Sequence, residues 1–166
     1  DFSDEKLWLW NLQDSFDWAD IVINCAIIQV PQINEQPLLG FKVNVQTLLD
    51  LCKLVEGTKC KAMVQISSWE VSEDQPEERS KLYRHSKVLQ EDIVKWYQMV
   101  GKKHYGIVRI GTLIGERMNP KTAAHIFIRN ALEGEPITPY AHSLFREIRY
   151  LDVNDAVRLI GNYCHK

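Results

Sequence analysis

The sequence predicts an α/β fold, a parallel sheet with helices on both of its faces. Two observations carry this. Short continuous apolar runs rich in β-branched residues suit strands buried on both sides of a parallel sheet. Between them lie long segments whose apolar residues return every three or four positions, as one helix face requires. The 166 residues, 45% apolar and 25% charged, are enough for one domain with a substantial core.

The first such run is Asp20-Ile21-Val22-Ile23-Asn24-Cys25-Ala26. Pro31, Asn34 and Pro37 then mark a loop. From Leu38 to Val55, the residues Leu38, Phe41, Val45, Leu48, Leu49, Cys52 and Val55 keep helical spacing, with Gly57 placed as a C-terminal cap. Ala62 to Ile66 is the next strand, running into a polar turn at Ser67-Ser68. Ser72 to Arg79 is acidic, contains Pro76, and reads as a solvated loop. A second long helix follows, with Leu82, Ser86, Leu89, Ile93, Trp96 and Val100 as its buried stripe and Tyr83 and Lys87 beside it. Gly101 closes it, and Tyr105 to Ile110 is a third strand. The last third is less regular: a helix over 122–132, a turn at Gly134-Glu135-Pro136-Ile137, a strand near 149–153, and a final helix from Asn154 burying Ala156, Val157, Leu159 and Ile160.

Composition narrows the function classes. A net charge of −2 with both signs interspersed gives no basic field for nucleic acid or an anionic membrane surface. The apolar runs are too short to span a bilayer. Cys25, Cys52, Cys60 and Cys164 lack zinc spacing, and the five histidines are scattered, so no metal site is expected. The cysteines read as reduced thiols, and a cytoplasmic location is the expectation. The chain begins at Asp1 without a signal or transit pattern and is expected to be a fragment. Trp8, Trp10 and Trp18 cluster near its start, where exposure would mean an interface or a lost covering segment.

Tyr83-Arg84-His85-Ser86-Lys87 is the stretch with acid/base potential. Residues four apart share a helix face, so a lysine ammonium can favour ionisation of a phenol whose ordinary pKa is about 10. Spacing alone also fits an aromatic that packs on its own domain. In a parallel sheet the ligand crevice lies beyond the strand C-terminal ends. Asn24-Cys25-Ala26, Ser67-Ser68 and Gly111-Thr112 occupy those places, although Ser67-Ser68 equally suits a plain strand-ending turn.

In this order the landmarks resemble the extended short-chain dehydrogenase/reductase family, the NAD-dependent epimerases, dehydratases and reductases. The likeness runs through Asp20 to Ala26, Asn44-Val45, Ser67-Ser68-Trp69-Glu70-Val71, and the Tyr-x-x-x-Lys of Tyr83 and Lys87. It continues at Val108-Arg109 with Gly115, at Gly134 to Ile137, and at Leu151-Asp152-Val153-Asn154-Asp155. The resemblance implies a Rossmann-like sheet lacking its N-terminal βαβ part. Residues 1–115 would be the C-terminal portion of an NAD(P)-binding domain, and 116–166 a small irregular substrate-binding part with a return strand and helix.

It also implies roles. Tyr83 would be the general acid/base toward a secondary alcohol or ketone, helped by Lys87, which would also hold the nicotinamide ribose. Ser68 would orient the substrate oxygen, with Ser67 the alternative. Cys25, Ala26, Gly111 and Thr112 would line the cofactor, NAD or NADP, with Asn11 and Leu12 near its adenine. Arg146 and Arg149 would meet an anionic substrate group, or form a solvated strand edge. A sugar nucleotide or similar polar metabolite is the expected substrate, and a homodimer through the helices of Asn44 and Tyr83 the expected assembly. Three departures stand beside this. No Gly-x-x-Gly-x-x-Gly occurs in the chain, only fifteen positions separate Ser68 from Tyr83, and the substrate-phosphate arginine falls on Ile148. A non-catalytic Rossmann relative, structural or regulatory, is the rival reading.

Overall fold

Why each strand stops where it does, and which helix face meets it, decides where the polar residues gather. The computed structural model describes residues 5–72, 78–139 and 148–165, with side chains from residue 12 onward in its first helix. The chain divides into two units, Asp1–Arg109 and Ile110–Lys166.

The first unit opens with α1 (Glu5–Trp18), followed by β1 (Ile21–Asn24). A short α2 (Gln32–Glu35) and α3 (Pro37–Phe41) lead through a π-helical turn, Lys42–Gln46, into α4 (Thr47–Gly57). The helix expected over Leu38 to Val55 is therefore continuous but widened by one π turn, which the apolar spacing could not reveal. β2 spans Ala62–Ser68, so Ser67 and Ser68 are the last residues of the strand rather than a turn after it. A 3₁₀ turn (Trp69–Ser72) and another (Glu78–Ser80) flank the path to α5 (Lys81–Val100), and β3 is His104–Ile110.

The sheet order is β1-β2-β3. β1 and β2 are parallel, with Ile21 opposite Ala62 and Asn24 opposite Gln65. The core gathers Phe16 of α1, Leu48, Leu51, Cys52 and Val55 of α4, Cys60, Met63 of β2, Val94 and Tyr97 of α5, and Tyr105 of β3. Burying such side chains is worth roughly 1.5–3 kcal/mol each and fixes α4 and α5 to the sheet. Leu12 packs against the same cluster, whereas Trp18 lies exposed. Cys52 and Cys60 are buried free thiols, and burial pushes Cys52 up to about 12.

One expectation holds only in part. Of the stripe expected to be buried on α5, Ser86 is buried and Ile93 packs against the core, but Leu82, Leu89 and Trp96, at 47%, 43% and 49% exposure, and Val100 are turned outward. The fully buried face is Ser86, Lys87, Gln90, Glu91, Val94 and Tyr97, polar toward the helix start and apolar toward its end. Buried amides and charges are tolerable only where partners satisfy them, and the strand end supplies those partners.

In the second unit, β4 (Thr112–Ile114) and β5 (Tyr150–Asp152) are parallel, with Leu113 opposite Leu151. Gly111 is required by close approach, because a Cβ there would stand 2.2 Å from the Arg149 carbonyl oxygen. α6 (Ala123–Glu133) begins at Thr122, whose hydroxyl accepts the His125 N–H, and ends on Gly134 at φ 73°. α7 (Val153–Cys164) is capped by Asp152, which accepts the Asn154 N–H at 2.8 Å. Of its four expected core residues only Ala156 is buried; Val157 and Leu159 are exposed. Among the described residues no helix is long and apolar enough to cross a membrane, and no side-chain cluster could hold a metal ion.

Candidate active site

The site grows from the polar end of α5. Tyr83, Lys87 and Glu91 are spaced four apart, so they climb one face of the helix in successive turns. Arg84 anchors that end: its Nε donates to the Glu70 carbonyl at 3.1 Å and its Nη2 to the Val71 carbonyl at 3.3 Å. The segment after β2 is thereby held against the start of α5.

Gln65 and Ser67, two apart in β2, point to the same side of the sheet. That side faces α5. The Ser67 hydroxyl donates to Glu91 Oε1 at 2.7 Å and is committed there. Glu91 is 1% exposed and takes a bidentate grip from Arg109, with Nε and Nη2 each at 2.7 Å. Burial pushes this carboxyl up, but the hydrogen bonds from Arg109 and Ser67, with the charges of Arg109 and Lys95, outweigh it, and the net shift is downward. Ser68 is left for the phenol: its hydroxyl accepts the Glu70 N–H at 3.3 Å and lies close enough to Tyr83 to favour the ionised phenol. Of the two serines the sequence offered, the structure brings Ser68 to Tyr83 and ties Ser67 elsewhere.

Lys87 is 4% exposed, and its ammonium donates to the Ile66 carbonyl at 2.8 Å, lying 5.9 Å from the centre of the Tyr83 ring. Burial lowers its pKa to about 8, opposed by the nearby Cys25 and by the negative charge of Glu91. Tyr83 moves the other way, up to about 12, through burial and the charge of Glu70, with the Ser68 hydrogen bond opposing. The resting phenol is thus not acidified as the pairing with Lys87 suggested. The ammonium sits over the ring, bonded to a backbone carbonyl.

The turn after β1 completes this end of the unit. Asn24 Oδ1 accepts the Ala26 N–H at 3.1 Å, leaving Cys25 exposed. Asn44, fully buried in the π turn, accepts the Ile28 N–H at 2.7 Å and donates to the Ile28 carbonyl and to Ser86 Oγ, each at 3.0 Å. Ser86 in turn donates to the Tyr83 carbonyl at 2.7 Å. Gly111, Thr112 and Arg149 stand together in the second unit, where the Thr112 N–H donates to the Arg149 carbonyl at 2.8 Å. Arg146 and the Asn11 side chain lie outside the described residues. Glu70, Glu91, Gln65 and Gln90 were missed as members of this cluster. Extending the Tyr83–Lys87 spacing by one more turn would have reached Glu91.

The model of the NAD dependent epimerase/dehydratase family matches residues 4–163. The chain belongs to this family. Solved structures with the same fold include the UDP-glucuronic acid 4-epimerase of Bacillus cereus in complex with NAD, at 20% identity and a TM-score of 0.79, over 95% of this chain and 53% of that one. The UDP-glucose 4-epimerase of Thermus thermophilus in complex with NAD matches at 20% identity and 0.76, over 92% and 56%. DesIV, the dTDP-glucose 4,6-dehydratase of Streptomyces venezuelae, matches at 20% and 0.77, over 92% and 50%. The chain therefore spans about half the length of the epimerase/dehydratase structures it resembles. No curated protein matches it by sequence.

Proposed function

We propose that this epimerase/dehydratase chain belongs to an enzyme that uses NAD to oxidise, reduce or epimerise a secondary alcohol or ketone carried by a sugar nucleotide. The observation behind this is the triad at the end of β2: the buried Lys87 ammonium, held by the Ile66 carbonyl at 2.8 Å, lies over the Tyr83 ring, with Ser68 beside the phenol. Supporting it, Bacillus cereus UDP-glucuronic acid 4-epimerase is seen with UDP-glucuronic acid and NAD.

The residues fit the cofactor's nicotinamide ribose. Lys87 spends one of its three N–H groups on Ile66, so two remain for ribose hydroxyls. The turn at exposed Cys25 and half-buried Ala26, with no bulky side chain, lets a ligand approach the backbone. When bound, NAD would accept or return the hydride. Tyr83 then holds or moves the proton at the substrate oxygen, and Ser68 orients that oxygen. A phenol near 12 is protonated at rest and suited to donate; acting as base requires added positive charge beside it.

The test is direct. The intact protein should bind NAD and turn over at least one UDP- or dTDP-linked sugar. Failure to bind NAD would favour the non-catalytic reading. We infer too that the outward apolar line of α5 (Leu82, Leu89, Trp96), with Leu38 and Phe41 of α3, faces a second copy of the chain.

A further inference from the structure

Three buried amides, Asn24, Gln65 and Gln90, form one hydrogen-bonded line. Asn24, whose Oδ1 holds the Ala26 N–H, donates through Nδ2 to Gln65 Oε1 at 2.7 Å. Gln65 Nε2 donates to the Ile66 carbonyl at 2.9 Å and to Gln90 Oε1 at 3.2 Å. Gln90 Nε2 continues to the Asn44 carbonyl at 2.5 Å. The Ile66 carbonyl that receives Gln65 is the one that receives Lys87.

A buried amide is costly unless both of its ends are satisfied, so the partners fix its orientation. With Asn24 donating to Oε1, the Gln65 NH₂ can only face Ile66 and Gln90. A carbonyl offers two lone pairs. Gln65 takes one, which confines the Lys87 ammonium to the other. Gln65 and Gln90 are fully buried and reach no ligand themselves.

We propose that Gln65 is a positioning residue for cofactor binding: by sharing the Ile66 carbonyl with Lys87 and holding Asn24, it sets the ammonium and the Ala26 turn in one frame for the nicotinamide ribose. This rests on the NAD reading above. Tyr83 is tied to the far end of the same line through Gln90, Asn44 and Ser86.

Gln65→Met keeps the volume and removes both hydrogen-bonding ends. In the intact protein, calorimetric titration should show NAD binding weakened about five- to tenfold, the net worth of one hydrogen bond. ADP, which has no nicotinamide ribose, should bind within about twofold of wild type. Asn24→Asp is the second variant: a carboxylate there attracts the Gln65 NH₂, turns the amide and takes its donor from Ile66, with the same expected loss. It carries the test if Gln65→Met does not fold. Unchanged NAD affinity in the folded variants overturns the positioning role and leaves the NAD reading standing. Equal weakening of NAD and ADP also overturns it, since that marks a general structural defect. A wild type that binds no NAD overturns both.

Discussion

Burying the Lys87 ammonium costs on the order of 3 kcal/mol, since its pKa falls from 10.5 to about 8 on folding. Below pH about 8 both folded and unfolded chains hold the proton and the cost is present in full. Between about 8 and 10.5 the unfolded chain binds a proton that the folded chain lacks, so stability rises with pH across that window. Lys87→Met should therefore be more stable than wild type by roughly 1–3 kcal/mol at about pH 7, part of the gain being offset by the lost bond to Ile66. The gap should narrow by about pH 10, as read by urea unfolding. A gap that stays constant would mean the ammonium is not desolvated. At this scale the sequence named Tyr83, Lys87 and the serine pair. It preferred Ser68 but kept Ser67 open, because what ties Ser67 down is Glu91, gripped by Arg109, both distant in the chain.

Helix α5 was legible as a helix, but its buried face only in part: Ser86 and Ile93 lie inward as expected, and Leu82, Leu89, Trp96 and Val100 do not. Apolar periodicity identifies a face, but the face that is buried depends on what lies opposite, and β2 presents Gln65, Ser67 and the Ile66 carbonyl. Polar groups matched to that strand end go inside, leaving Leu82, Leu89 and Trp96 seven residues apart on the outside. Such a line suits a helix from a partner. Leu89→Lys combined with Trp96→Lys should convert a dimer to a monomer in analytical ultracentrifugation, with far-UV circular dichroism unchanged. Equal sedimentation of variant and wild type would remove the second copy from that face. The π turn at Lys42–Gln46 was invisible for a related reason: it is set by the buried Asn44, whose partners are Ile28, Ser86 and Gln90.

Across the whole chain, the α/β class, the parallel pairing of β1 with β2 and the family were legible because landmarks from Asp20 to Asp155 fall in a fixed order. The second unit was harder to read. There, single contacts such as Gly111 against the Arg149 carbonyl set the geometry, and Val157 and Leu159 of α7 lie exposed despite their helical spacing. Both units belong to one family pattern, and the proposed chemistry lies at the C-terminal end of β2, with Tyr83 as the proposed proton-transfer group. The most direct measurement is the turnover of a sugar-nucleotide substrate by Tyr83→Phe in the intact protein, alongside its NAD dissociation constant. Turnover should fall at least about hundredfold while NAD affinity stays within about twofold of wild type; turnover equal to wild type would rule out Tyr83 as the proton-transfer group.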